Sequence, residues 1–473
     1  MSIVEEENAG ATNPGEKKVA REVTVEVEAQ EERPVRKAAE KTVRGWMIAL
    51  GSFLILIPSY GFMLAIGVVQ AYLHANQLSD YTTRDIGWIA GMFTFLALFL
   101  GIQAGPIIDS FSVRVLAPIS VGISLPLFFL LAECTLYWHF MLCIGVLGGV
   151  SSAITATLGV AVIGKVFLEY RGLAMGVAFS GSSLGGVIFP LMLRATLPKW
   201  GFAWSMRAVG FVSTALLVLA TGCLWHCDKL TLMDSNEPLV NGDIPDTVVG
   251  DLTQVTSHRS RPDAPKPKKM AMVNFSAFKS PTFCLLTASM LLLDFVIFGV
   301  AGLLPTMVSI NGFGDETGYY LVAILNTCSV VGRLLTGIIG DRFGHFNVII
   351  LTVAFTLVCT AITLLPFGTT HVQALYAFSA LWGFGSGSFL PLLPVCMGKI
   401  CDPKEYGRYF GTMTFVNSFG LLISVPIGGQ MLDTMGPTAL SGFYVAVIFL
   451  GGVAIVAARA LLIGTWFGFK EKI

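Results

Sequence analysis

GIIGDRFG, at Gly337–Gly344, ends an apolar stretch of membrane-crossing length, and GPIIDSFSVR, at Gly105–Arg114, does the same at the matching place in the first half of the chain. In each copy glycine permits close helix contact and a sharp exit, and an acidic residue stands where the chain turns back. A single copy carries little. The pair makes the chain a duplicated bundle of membrane helices.

Composition agrees. Of 473 residues, 54% are hydrophobic and 13% charged, against about 25% charged in an average soluble domain, so lipid is the main solvent. A span needs about 20 mostly apolar residues. Twelve stretches qualify: Trp46–Tyr72, Ile86–Gly105, Val115–Leu131, His139–Ile163, Gly172–Arg194, Trp204–Leu224, Thr282–Val308, Gly318–Gly340, Val348–Phe367, Gln373–Met397, Phe410–Leu432 and Phe443–Trp466. The expected fold is an all-α membrane protein of 12 transmembrane helices, arranged as two six-helix bundles with pseudo-two-fold symmetry.

The expected domains follow from the polar breaks. Residues 1–43 form a Glu- and Lys-rich tail too polar to fold alone, 44–227 the first bundle, 228–279 a polar linker ending in PKPKK (Pro265–Lys269), 280–467 the second bundle, and 468–473 a short tail. Basic residues choose the orientation. With the N-terminus inside, the inner loops carry Arg114, Lys165, Arg171, Arg342, Lys399, Lys404 and Arg408, and the outer loops only Arg84, Arg194 and Lys199. Both termini are therefore expected in the cytoplasm, and the expected membrane is the plasma membrane.

Several chemistries are excluded. Most cysteines lie in or at the ends of spans, as small hydrophobes do, and Cys223, His226 and Cys227 lack a fourth ligand, so no metal is expected. WGFGSGS at Trp382–Ser388 has no following Lys and no preceding strand, so it is not a phosphate loop. No catalytic constellation, cofactor motif or nucleic-acid motif is present. The expected partners are a small-molecule substrate, protons and the lipid bilayer.

Ionisable groups deep in spans cost about 2.5–3.5 kcal/mol each on insertion scales, which makes them functional candidates. Asp294 lies mid-way along the seventh span and Arg333 in the eighth. At 1.5 Å per residue, Asp294 lies roughly 6–10 Å deeper, a gap the guanidinium partly closes. The two are expected to pair as a site for proton coupling and anion contact; a fixed ion pair fastening two helices, or Arg333 capping backbone carbonyls, is the structural alternative. Tyr60, Gln70, Gln103, Ser152, Thr155, Asn326, Trp382, Ser386 and Asn417 are polar or amphipathic within spans and are the candidate cavity residues. Asp109, Arg114, Asp341 and Arg342 are the candidate conformational latch, with tight turns and topology-setting charge as the plainer reading.

The two G-x-x-x-D-(R)-x-(G) copies resemble the signature of the major facilitator superfamily, from about Arg44 onward. The first copy departs from it, with Ser110 where Arg is usual and Ser112 where the second Gly is usual. FLEYRGLAMGVAFSGSSLGG at Phe167–Gly186 resembles a signature of the monocarboxylate transporter family, matched by Phe167, Arg171, Leu173, Ala174, Gly176, Ala178, Ser180 and Gly181, and the whole looks most like that family's fungal branch. The resemblance implies a secondary active transporter of an organic anion or related metabolite, working by alternating access and proton-coupled; the alternatives are an efflux transporter of a hydrophobic secondary metabolite and a non-transporting nutrient sensor. It also implies an anion-binding Arg in the eighth span, matched by Arg333. Ser329 stands where an acid is usual one turn earlier, and Leu64 where a Lys is frequent in the first span.

Overall fold

The computed structural model describes residues 42–101, 113–167, 170–225, 275–401 and 406–464. Nine helical stretches among them are long and apolar enough to cross a bilayer. Two of these, Arg171–Leu224 (54 residues) and Arg408–Ile463 (56 residues), are too long for one crossing. Each breaks at a glycine of positive φ, Gly201 (φ 70°) and Gly436 (φ 82°), a backbone that side chains with a Cβ rarely adopt. One more helix, Thr83–Phe99, has 17 residues. The twelve helices are thus α1 (Val43–Ala75), α2 (Thr83–Phe99), α3 (Val113–Leu131), α4 (137–166), α5 (171–200), α6 (202–224), α7 (Pro281–Ile310), α8 (Asp315–Phe343), α9 (His345–Phe367), α10 (Val372–Met397), α11 (406–435) and α12 (437–463).

Local signals start and bend these helices. Thr82 caps α2 by accepting from the Asp85 N–H at 3.2 Å while the Asp85 carboxylate reaches back to the Thr82 N–H, a reciprocal capping box. Ser280 caps α7, with Pro281 at the first helical position where its missing N–H costs nothing. Pro58 inside α1 removes a ladder donor, and the chain widens to a π turn at Ile57–Gly61.

Three of the spanning stretches are the most enclosed, α1, α10 and α7: 83%, 78% and 72% of their apolar windows are buried, against 39% for α3. Large apolar side chains such as Leu351, Ile362, Phe211 and Leu219 are exposed. On a soluble protein such a belt is a sticky patch; here it is the lipid face.

The two sets meet along two seams, α2 against α11 and α5 against α8, with α1 also touching α7. Lipid supplies no hydrophobic drive for these contacts, so small residues bring backbones together. A Cβ on Gly91 of α2 lies 2.3 Å from the Leu422 carbonyl oxygen of α11, and one on Gly176 of α5 lies 2.7 Å from the Arg333 carbonyl oxygen of α8.

Candidate functional site

Asp294 sits seven residues before Ala301, whose carbonyl faces Gly67 of α1, so the acid shares the face of α7 turned toward the first six helices. It is 1% exposed. Its Oδ2 accepts from Asn417 Nδ2 of α11 at 2.7 Å, whereas Asp294 Oδ1 and Asn417 Oδ1 are buried without a hydrogen-bond partner among the described residues. One residue on, the Phe295 carbonyl accepts from Ser424 Oγ at 2.6 Å, which fixes α11 against α7. Tyr60 of α1 lies within electrostatic reach of Asp294, and its ring stacks on Phe179 of α5 at 6.1 Å.

Arg333 does not pair with Asp294. Its guanidinium, 2% exposed, donates to the Phe179 carbonyl and to Ser182 Oγ, both on α5. The reason is helical geometry: Asn326, Ser329, Arg333 and Gly337 are spaced three and four apart, so all face α5, away from α7. Depth alone says nothing about which face a residue takes. Asn326 Nδ2 donates to the Gly186 carbonyl (3.4 Å), and Ser183 Oγ to Ser329 Oγ (3.1 Å).

This α5–α8 seam is closed at both ends. At one end, Asp341 accepts from the Gly172 N–H (3.2 Å) and the Leu173 N–H (3.0 Å), in the first turn of α5, where unsatisfied donors and the helix dipole favour an anion. His345 Nε2 sits 3.0 Å from the same carboxylate. At the other end, Arg194 of α5 pairs with Glu316 of α8 at 2.9 Å and lies over the Tyr320 ring at 4.4 Å.

The remaining sequence candidates scatter. Gln70 Nε2 donates to the Ile86 carbonyl at 3.1 Å and ties α1 to α2. Ser152 and Thr155 line a small, narrow cavity inside the first six helices, with Ser59, Ser124 and Ser151, and therefore away from the seam. Trp382 is buried, its indole N–H without a hydrogen-bond partner among the described residues, and Ser386 is buried one turn further along α10. Arg114 donates to the Trp225 carbonyl at 3.0 Å, at the end of α6 in its own set of helices. Arg342 is exposed and makes no ion pair among the described residues, so the acid rather than the base holds the neighbouring helix end. Gln103 and Asp109 lie outside the described residues. Sequence reasoning missed His345, which follows Asp341 by four positions across the Gly344 turn, and Tyr444, whose buried hydroxyl meets no hydrogen-bond partner among the described residues.

The sequence pattern of the Major Facilitator Superfamily matches residues 48–424, with a further match over 329–471. The chain belongs to that superfamily. It is similar to a riboflavin transporter of Saccharomyces cerevisiae (29% identical, over 98% of this chain and 84% of the relative). It is also similar to an aspyridones efflux protein of Emericella nidulans (30%, over 88% and 78%) and to an agnestins efflux protein of Paecilomyces divaricatus (30%, over 89% of each). This facilitator is a multi-pass membrane transporter of small molecules and not an enzyme.

Proposed function

We propose that the protein is a secondary active carrier of an amphipathic, uncharged organic metabolite, moved by alternating access and coupled to protons at Asp294. One observation carries this reading: a buried carboxylate oxygen, Asp294 Oδ1, has no hydrogen-bond partner among the described residues and stands beside both sets of helices. A buried carboxylate without a cation is costly unless a proton or a donor meets it, and it repels an anionic cargo. The names of the relatives, a riboflavin transporter and efflux proteins for secondary metabolites, favour the same class of cargo. The proposed mechanical units are 44–227 and 280–467, joined by 228–279, with both termini cytoplasmic at the plasma membrane. The proposed latch is Asp341 on the first turn of α5.

A second reading, an organic anion of the monocarboxylate type held by Arg333, is favoured by the Arg333 Nε, which is buried and unpartnered. Flux in reconstituted vesicles separates the two. Asp294→Asn is expected to abolish the pH dependence of flux, with Arg333→Ala slowing it through loss of the α5 contact. Proton-driven flux that survives Asp294→Asn unchanged removes Asp294 from the mechanism, and loss of anion flux alone in Arg333→Ala selects the second reading.

A further inference from the structure

We infer that Asp294 Oδ1 serves in turn a proton and an N–H donor of the cargo, so that this carrier exchanges protons for cargo instead of moving both together. The inference rests on the proposed coupling at Asp294 and adds the sign of that coupling and the chemistry of the cargo.

The carboxylate has one oxygen to offer. Oδ2 is occupied by Asn417 Nδ2, and the amide can present only its nitrogen there, because its oxygen beside a carboxylate is repelled. That orientation leaves the Asn417 oxygen as a second acceptor without a partner among the described residues, on the side chain bonded to Asp294. A pair of buried acceptors is complementary to a ligand edge that donates. An ionised Asp294 Oδ1 is a strong acceptor for an N–H; once protonated it becomes a hydroxyl, a donor and a far weaker acceptor, and holds the same N–H poorly. Proton and cargo therefore compete at one atom.

The charged and titratable groups nearby leave this competition undisturbed. From α1 comes Tyr60, which is a donor itself and stacks on Phe179. From α12 come Tyr444, beside Gly299 and more than a turn away along α7, and Arg459, two turns beyond Gly451, the residue that faces Leu293. From α8 comes Arg333, turned to α5. No cation forms an ion pair with Asp294 among the described residues. The acid sits where α1 of one set meets α7 and α11 of the other, so separation of the sets at either end opens it to a different side.

The test uses the full chain in proteoliposomes with riboflavin, whose ring carries an imide N–H, as the probe. Uptake is expected to accelerate when the lumen is more acidic than the bath, the gradient that drives protons out as cargo enters. The apparent Kd for riboflavin is expected to rise about tenfold per unit fall in pH below the titration of the site, and N3-methylated riboflavin, which lacks that N–H, is expected to compete poorly. Asp294→Asn is expected to remove the gradient effect; the sign in the unaltered protein decides the matter even if that variant fails to fold. Faster uptake with an alkaline lumen keeps proton coupling and overturns the exchange. Uptake indifferent to either gradient overturns proton coupling itself, and no riboflavin uptake at all overturns the assignment of an N–H-bearing cargo.

Discussion

Replacing Asp341 with Ala is expected to release the end of the α5–α8 seam that this acid closes. The carboxylate accepts from two N–H groups in the first turn of α5, at 3.2 and 3.0 Å. Hydrogen bonds to a charged group contribute about 1.5–3 kcal/mol each when their loss leaves a buried donor unmet. The Asp341 side chain is 21% exposed, so water replaces part of the loss. A net cost of about 2 kcal/mol follows, which is about a 30-fold shift toward separation of the two sets of helices at that end. Asp341→Asn keeps the acceptor but not the charge and is expected to shift the balance less. The assay is a spin-label distance between Trp225→Cys and Phe278→Cys, exposed positions at that same end just past α6 and ahead of α7, in a background without other reactive thiols. A longer-distance population is expected to grow in Asp341→Ala. An unchanged distance distribution, with the variant folded and inserted, would refute the idea that this cap holds the seam.

Two further outcomes follow from the same seam. Gly176→Leu places side-chain atoms where a Cβ already meets the Arg333 carbonyl at 2.7 Å, and overpacking of this kind costs about 1–3 kcal/mol; flux is expected to fall while membrane insertion, read by surface labelling, is retained. Glu316→Gln breaks an exposed pair worth about 0–1 kcal/mol; the variant is expected to keep its melting temperature within error in a thermal-shift assay.

Span number and length were legible because the bilayer imposes a single length scale on apolar runs. The seventh span, expected at Thr282–Val308, is Pro281–Ile310, and the eighth, expected at Gly318–Gly340, is Asp315–Phe343. The second span was expected to reach Gly105, and its described helix ends at Phe99. The site was legible only in part. Burial cost singles out Asp294 and Arg333 without naming their partners, because a partner depends on which helix face is presented. For Arg333 that face was readable from Asn326, Ser329 and Gly337 at three- and four-residue spacing. For Asp294 it was not, since Asn417 lies more than a hundred positions away on a helix whose rotation no local pattern fixes.

The two seams between the sets of helices differ in a way that bears on how the protein moves. The α2–α11 seam is lined by Phe95, Phe99, Phe415 and Phe419, with ring centroids 5.3–6.1 Å apart across it. Its Thr94 hydroxyl reaches the Leu421 carbonyl of α11 at 3.5 Å but also bonds within its own helix, to the Ala90 and Gly91 carbonyls at 3.0 Å, and so stays satisfied when the seam parts. Aromatic rings that slide or part leave no polar group unmet, so this seam deforms gradually and at low cost. The α5–α8 seam instead carries Asp341, Arg333, Ser329, Asn326 and Glu316 against α5. Its bonds are made or unmade, and an intermediate opening strands the buried donors and acceptors of Arg333, Ser329 and Asn326 in a medium with little water. A greasy seam and a polar one in parallel therefore favour two discrete arrangements over a continuum, with α5–α8 deciding between them. Phe179 places the acid within reach of that decision: its ring stacks on Tyr60, which lies within electrostatic reach of Asp294, and its carbonyl holds Arg333. A change of charge at Asp294 that moves Tyr60 thus acts on the residue to which the polar seam is fastened.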